Sequence, residues 1–267
     1  MAGEPQQDGF ISIWRASFDG ADGSLPDESK WHIVEQGPNH GNGEVQHYIK
    51  SPTTSSVQNG VLEIKPHHHD GKWTSARLES HSSFRSMNRQ RVKLQAELKI
   101  GSAARDRQKG IWPAFWALGE ELRHGVPWPK CGEWDIFENA HGDDWMLGSL
   151  HYGTPDAPQI QGSQKEHFDK DQYHTWALIV DRRPGSWENE TLEWYKDGKK
   201  YFSVKGSDVP DEETWGRVAH KSFFVVLNVA VGTNFPGGGG KPNEQTVAGL
   251  GSSMQVKYVA FYQWQPN

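Results

Sequence analysis

The chain has 267 residues, a formal net charge of -6 at pH 7, 13 tryptophans and a single cysteine, Cys131. This length fits one large domain or two small ones, and it allows a core that is stable without disulfide bonds or a structural metal ion. The absence of a basic block argues against nucleic acid and anionic membranes as partners, and one cysteine excludes an internal disulfide.

Short segments that alternate polar and apolar residues recur along the chain. Residues 92–100 alternate throughout, which predicts a strand with one buried and one solvated face. The other predicted strands are residues 10–14, 60–65, 73–80, 173–181, 191–195, 223–231 and 255–264. Asp197-Gly198 lies between two apolar runs and predicts a tight hairpin.

Helical patterns are scarce. Residues 211–220 predict one short helix, capped by Ser207 or Asp208, and the glycine-rich residues 234–242 predict a mobile loop. Many strands without long helices predict an all-β sandwich or barrel. We find no repeat and no linker, and therefore expect a single domain over residues 1–267.

Three acids lie close together in residues 133–138, with the sequence EWDIFE. Glu133 and Asp135 share one face of a strand, but Glu138 reaches that face only if one residue near Ile136 or Phe137 is bulged. Crowded carboxyl groups acquire different pKa values, as retaining glycoside hydrolysis requires of its nucleophile and its acid. The alternative is a solvated acidic edge strand, which the large apolar residues between the acids disfavour.

Residues 132–138 (GEWDIFE) resemble the active-site motif of glycoside hydrolase family 16, in the bulged form of its laminarinase-type branch. Residues 42–48, 74–78, 110–116, 150–153 and 224–232 resemble other segments of that family, in the same order. The resemblance implies a β-jelly-roll sandwich of two antiparallel sheets with an open cleft on its concave face. It also implies that Glu133 is the nucleophile, Asp135 assists it and Glu138 is the acid/base.

Aromatic and polar side chains near this motif are candidates for binding sugar. Trp112, Trp116 and Trp128 flank the catalytic segment and are predicted to stack on sugar rings, although any one of them could instead be a core residue. The resemblance adds His151, Arg77 and Asn42 as cleft residues, and Glu44 more weakly. Trp134 alternates with the acids and should be buried, and Cys131 should be a packed residue.

We expect no metal and no cofactor. Adjacent histidines in residues 67–70 (HHHD) rarely converge on one ion, so a solvated loop is predicted there. The resemblance also implies a structural Ca²⁺ site at the last strand. However, Lys257 stands where the family has an aspartate, and its positive charge opposes a divalent ion. Backbone carbonyls near the N-terminus are the remaining candidate ligands for Ca²⁺.

The predicted function is endo-hydrolysis of internal β-1,3 linkages in a laminarin-like or mixed-linkage β-glucan, by double displacement. An endo-β-1,3-galactanase, a transglycosylase and a non-catalytic carbohydrate-binding protein are the alternatives. The expected partner is a polysaccharide or oligosaccharide, and the expected state is a monomer. Residues 1–8 do not form a signal peptide, but a chain that begins after a removed signal has the same appearance. We therefore expect a secreted protein, with the cytoplasm as the alternative.

Overall fold

The computed structural model describes residues 9–38, 42–232, 234–235 and 240–265. Its strands follow one another along the chain as β1 (Phe10–Ser17), β2 (Trp31–Ile33), β3 (Gln46–Tyr48), β4 (Ser55–Gln58), β5 (Val61–Ile64), β6 (His67–His69), β7 (Lys72–Ser75), β8 (Arg77–Phe84), β9 (Arg91–Ile100), β10 (Ile111–Gly119), β11 (Glu133–Glu138), β12 (Trp145–Thr154), β13 (Ala157–Gly162), β14 (Glu166–His167), β15 (His174–Asp181), β16 (Thr191–Lys196), β17 (Lys199–Lys205), β18 (Phe223–Val231) and β19 (Met254–Trp264).

Helical structure is confined to short turns. The α-helix α1 (Glu212–Trp215) continues into a π-helical turn at Gly216–His220. The 3₁₀ turns are Arg105–Arg107, Glu120–His124, Trp187–Asn189, Gly206–Asp208 and Gly249–Ser252. No helix in the described ranges is long and apolar enough to cross a membrane.

Two antiparallel sheets of eight strands each form the body of the protein. Sheet I has the order β17-β16-β15-β9-β19-β5-β4, and β1 also pairs with β19. Sheet II has the order β13-β12-β11-β10-β18-β8-β2, and β14 also pairs with β12. A small third sheet holds β3, β7 and β6. The two large sheets form the predicted β-jelly-roll sandwich.

The core lies between sheets I and II. Phe137 of sheet II packs on Trp176 of sheet I with ring centroids 4.9 Å apart, and Phe84 of sheet II stacks on Phe261 of sheet I at 4.7 Å. Burying one such side chain stabilises the fold by about 1.5–3 kcal/mol. Because one face of sheet II is used for this core, its opposite face is free to carry polar side chains.

Most predicted strands are confirmed. The match is complete for β18 (Phe223–Val231) and within one residue at either end for β5, β15, β16 and β19. The predicted hairpin joins β16 to β17, where Lys196 pairs with Lys199. Asp197 and Gly198 have φ values of 49° and 78°, the left-handed conformation that a two-residue hairpin turn requires.

Three local predictions were wrong. Residues 73–80 split at Ala76 between β7 and β8, which belong to different sheets. The helix cap is Asp211, which accepts a hydrogen bond from the Thr214 amide at 2.8 Å, because residues 206–208 already form their own turn. The histidines at 67–69 form strand β6, paired with β7, rather than a loop, although His68 and His69 are solvent-exposed as expected.

The predicted solvated face of β9 is partly covered. Lys93 and Gln95 are buried, because Lys93 lies over the rings of Phe10 and Tyr262 and Gln95 donates to the Tyr258 hydroxyl at 2.6 Å. Residues of β1 and β19 therefore shield this side of sheet I. Of the predicted mobile loop at residues 234–242, residues 236–239 lie outside the described residues.

Candidate active site

Strand β11 carries the predicted catalytic segment, and it is bulged. Against β10, Phe137 pairs with Phe115 while Asp135 pairs with the next residue, Trp116, so Ile136 is one residue in excess. The register against β12 shifts between Asp135 and Glu138 as well. The bulge predicted near Ile136 or Phe137 is therefore confirmed.

The bulge sorts the side chains of β11 onto two faces. Trp134, Ile136 and Phe137 all enter the core between the sheets. Glu133, Asp135 and Glu138 line the cleft on the opposite face of sheet II. The extra residue allows two consecutive side chains, Ile136 and Phe137, to point into the core. As a result, Glu138 lies on the same face of the strand as the other two acids. The predicted burial of Trp134 is confirmed.

Indole groups hold the two glutamates. Trp128 Nε1 donates to Glu133 Oε2 at 3.2 Å, and Trp112 Nε1 donates to Glu138 Oε1 at 3.1 Å. These neutral donors fix the carboxyl groups while leaving the second oxygen of each available to a substrate.

His151 stands beside Glu133 and Asp135 because it pairs with Glu133 across strands β11 and β12. Its Nε2 atom lies 3.1 Å from Asp135 Oδ2 and 3.7 Å from Glu133 Oε1. Asp135 Oδ2 is buried and receives no aligned hydrogen bond from the described residues. The imidazole favours the ionised form of Glu133, whose pKa it lowers.

Burial raises the pKa of all three acids. The pKa of Glu133 rises to about 8, through burial and then the charge of Asp135, with His151, Arg77 and Trp128 opposing the shift. Burial also raises the pKa of Asp135. The pKa of Glu138 is raised well above its usual range by burial, and then by Asp135 and Glu133. Glu138 thus has two acidic neighbours that raise its pKa, whereas Glu133 has one.

The cleft has a volume of about 510 Å³ and is bordered by strands of sheet II on both sides of β11. It brings together every residue predicted for the site: the acids Glu133, Asp135 and Glu138, and the side chains of Asn42, Arg77, Trp112, Trp116, Trp128 and His151. Strands β8, β10, β11 and β12 supply most of these residues, which explains why segments far apart in sequence meet here.

The three cleft tryptophans are not equally free to stack on a sugar. Trp128 is 43% exposed. One face of Trp116 is covered by the Arg77 guanidinium, 4.8 Å from the ring centroid, and Trp112 is stacked on Phe235 at 4.6 Å. Trp128 is therefore the most open aromatic surface of the three.

A polar network that was not predicted as a unit lines the cleft beside Trp116. Asn228 accepts from Trp116 Nε1 at 2.7 Å and donates to the Tyr48 hydroxyl at 3.0 Å. The Tyr48 hydroxyl lies 3.3 Å from Glu44 Oε2. Tyr48 and Asn228 were missed as site residues, although Asn228 is the one polar residue within the apolar run of residues 223–231.

Glu133, Asp135 and His151 are also the one group of described residues whose ligand atoms lie close enough together to share a metal ion. Lys257, where the family has an aspartate, pairs with Glu97 and lies 4.2 Å from the Tyr173 ring centroid. Its ammonium group thus places a positive charge at that position.

Cys131 is buried as predicted, and burial raises the pKa of its thiol to about 11, so it is a weak nucleophile.

The raised pKa of Glu133 predicts a stability that depends on pH. The folded state binds this proton more tightly than the unfolded state, so the contribution is complete below about pH 4.5 and is lost as pH rises through about 8. Glu133→Gln, which is neutral at every pH, should be more stable than the wild type at pH 9 and equally stable at pH 4. Denaturant unfolding across this range measures the difference, with Glu28→Gln as an exposed control. Curves for Glu133→Gln and wild type that keep a constant separation would contradict the account.

No family model matches the chain. Curated relatives do. Glucan endo-1,3-beta-glucosidase A1 of Niallia circulans is 28% identical over 297 residues, covering 98% of this chain and 39% of that protein. Glucan endo-1,3-beta-glucosidase of Cryptopygus antarcticus is 28% identical over 276 residues, covering 96% of this chain and 93% of that protein. The chain thus spans about two fifths of the length of the Niallia relative and nearly all of the Cryptopygus one.

The crystal structure of endo-1,3-beta-glucanase from Streptomyces sioyaensis matches the whole fold. Its TM-score is 0.88 at 30% sequence identity, and the match covers 99% of this chain and 100% of that one. An alignment of this extent includes both sheets and the bulged strand β11. Together with the motif in residues 132–138, it shows that this chain is a glycoside hydrolase of family 16, in the laminarinase-type branch.

Proposed function

We propose that the protein is a retaining endo-hydrolase that cleaves internal β-1,3 linkages of glucan. The observation that carries the proposal is the bulge at Ile136, which brings Glu138 to the same face of β11 as Glu133 and Asp135. Relatives named as endo-1,3-β-glucanases support the choice of substrate.

In the first step, a carboxylate oxygen of Glu133 bonds to the anomeric carbon while the bond from that carbon to the glycosidic oxygen breaks. Glu138 transfers its proton to the departing oxygen. The surrounding charges support this division, because Glu133 and Asp135 both raise the pKa of Glu138 and favour the protonated form that a general acid needs. The product of the step is a glycosyl-enzyme ester and a shortened chain.

In the second step, Glu138, now ionised, takes a proton from a water molecule, and the resulting hydroxide attacks the anomeric carbon. The bond to Glu133 breaks and its carboxylate is restored, so two inversions give net retention. Asp135 and His151 flank Glu133 and set its charge, the acid by raising its pKa and the imidazole by lowering it. No metal or cofactor is required for either step.

Endo-action follows from the position of the acids within the cleft. Strand β11 has β12 and β13 on one side and β10, β18 and β8 on the other. Lining residues such as His151 and Ile160 lie on the first side, and Asn228 and Arg77 on the second. A sugar chain that crosses these strands would contact protein on both sides of the scissile bond. The described residues act, in this proposal, as one catalytic domain and as a monomer, on polysaccharide outside the cell.

Removing either glutamate should separate the two roles. Glu138→Ala should lower kcat on laminarin by about 10²–10⁴-fold, the usual contribution of an acid/base group. Glu133→Ala should lose turnover entirely, and both variants should still bind laminari-oligosaccharides. Added azide should give a β-glycosyl azide with Glu138→Ala and an α-glycosyl azide with Glu133→Ala, detected by NMR. The opposite pairing would exchange the assigned roles, and full activity in either variant would refute them.

The charge of Asp135 should set the pH range of activity. Because Asp135 raises the pKa of both Glu133 and Glu138, Asp135→Asn should lower both. The acidic and the basic limb of the kcat/KM profile on laminarin should both move to lower pH, with a lower maximum. A profile that keeps its position, or moves to higher pH, would show that the charge of Asp135 does not tune the glutamates.

A substrate screen distinguishes the glucanase from its rivals. Laminarin should yield new reducing ends, and mixed-linkage lichenan should be cleaved as well, whereas β-1,3-galactan, agarose and carrageenan should not. Product analysis with added acceptor oligosaccharide should show shortened chains without new, longer ones. Cleavage of galactan alone would favour the galactanase, and longer chains would favour a transglycosylase.

A further inference from the structure

We propose that Trp194 and Tyr201, two residues of sheet I, are positioning residues that hold the β11 bulge and thereby aim Glu138. The proposal rests on the function proposed for this site. It assigns a part in catalysis to the sheet that does not line the cleft, through two hydrogen bonds that cross the sandwich core.

The two hydrogen bonds end on consecutive carbonyl groups at the bulge. Trp194 Nε1 donates to the Asp135 carbonyl at 2.7 Å, and the Tyr201 hydroxyl donates to the Ile136 carbonyl at 3.1 Å. The donors come from neighbouring strands, β16 and β17, where Trp194 pairs with Phe202. A bulge disrupts the regular ladder of strand hydrogen bonds, and buried carbonyl groups need other donors. Trp194 and Tyr201 supply them.

Burial makes these two donors dependable. Trp194 is fully buried in the core. Burial also raises the pKa of Tyr201 well above its usual range, so its hydroxyl keeps its proton and remains a donor at any pH at which the protein functions. Trp194 and the partly buried Tyr201 do not line the cleft, so we expect any effect on catalysis to pass through β11.

Gly148 provides the space for this arrangement. It lies on β12 between Leu147, which pairs with Glu138, and Ser149, which pairs with Asp135, so it stands opposite the bulge. A Cβ atom at this position would lie 2.7 Å from Trp194 Cδ1 and 2.8 Å from the Tyr201 hydroxyl. Both contacts are too short, and both neighbours are rigid rings. Any side chain here would push the two donors away from the carbonyls.

The orientation of Glu138 depends on the same backbone. Without the bulge, strict alternation would turn Glu138 towards the core and expose Phe137 in the cleft. Since the bulged residue lies only two positions before Glu138, a small rotation of the Asp135 and Ile136 peptide groups displaces the acid relative to the glycosidic oxygen. Glu133 precedes the bulge and pairs regularly with Leu118 and His151, so it should keep its position.

Because Glu138 should move while Glu133 keeps its position, variants can be compared in steps that need one acid or the other. Trp194→Phe and Tyr201→Phe each remove one donor, and Gly148→Ala displaces both. The first matched control is Trp176→Phe, a buried neighbour on β15 that packs on Phe137 and whose Nε1 has no hydrogen-bond partner among the described residues. The second is Tyr195→Phe, whose hydroxyl donates to Glu193 on the outside of sheet I. Each control loses the same atoms without losing a hydrogen bond to the carbonyl groups of the bulge.

Two substrates separate a misplaced acid from general damage. On laminarin, the three variants should lose about 10- to 100-fold in kcat with KM within about twofold, because misplacing a catalytic group by about 1 Å has effects of that size. A laminaribiosyl glycoside of 2,4-dinitrophenol needs no proton on its leaving group. Its pre-steady-state release of dinitrophenolate should therefore stay within about twofold of wild type. The controls should match wild type on both substrates.

Several outcomes would overturn the proposal: an equal loss on both substrates, a loss in the controls as large as in the three variants, or full kcat on laminarin in Trp194→Phe and Tyr201→Phe. A wild-type chain that fails to cleave laminarin would instead refute the proposed function. The crystal structure of Trp194→Phe decides the proposal even then. It should show rotated Asp135 and Ile136 peptide groups and a displaced Glu138 carboxyl group, and an unchanged bulge with Glu138 in place would contradict the assignment.

Discussion

One extra residue in strand β11 determines what this molecule can do. A regular strand would place Glu138 against the core, and only Glu133 and Asp135 would face the cleft. The bulge at Ile136 instead sends two consecutive apolar side chains inwards and returns the third acid to the cleft. The core gains Phe137, whose ring packs on Trp176 of the opposite sheet, so the same feature contributes to both stability and chemistry.

Gathering three carboxyl groups on a buried surface opposes folding at neutral and alkaline pH, since each group resists losing its proton there. The surroundings offset this only in part, and in different ways for each acid. One acid, Asp135, raises the pKa of Glu133, and three groups lower it: His151, Arg77 and the Trp128 indole. Two acids raise the pKa of Glu138, and only His151 and the Trp112 indole lower it. The site is thus less stable than an apolar cleft would be. The indole groups of Trp112 and Trp128 donate hydrogen bonds to the acids. The sequence predicted only that these rings stack on sugars.

The sequence alone was a good guide to whatever depends on local alternation. It predicted strands such as β9, β15, β18 and β19 and the Asp197-Gly198 hairpin. It also predicted the bulge, because six residues with acids at positions one, three and six fit no regular strand with one polar face. It failed where the answer depends on distant residues. The burial of Lys93 depends on Phe10 and Tyr262. The division of residues 73–80 depends on which sheet each half joins. The hydrogen bond between Asn228 and Tyr48 joins strands that are far apart in the chain. Trp194 and Tyr201 are apolar strand residues by any sequence pattern, and only the packed sandwich shows their contact with the bulge.

The central claim is that Glu133 becomes covalently bonded to the sugar while Glu138 acts as acid and base. Incubation with a 2-deoxy-2-fluoro laminaribiosyl fluoride should slow the second step and trap the intermediate. Mass spectrometry of the intact protein should then show the addition of one disaccharide unit, and peptide mapping should place it on Glu133. An adduct on Asp135, Glu138 or any other residue would contradict the account, as would a mechanism that turns over a glucan without any adduct and releases α-anomeric products.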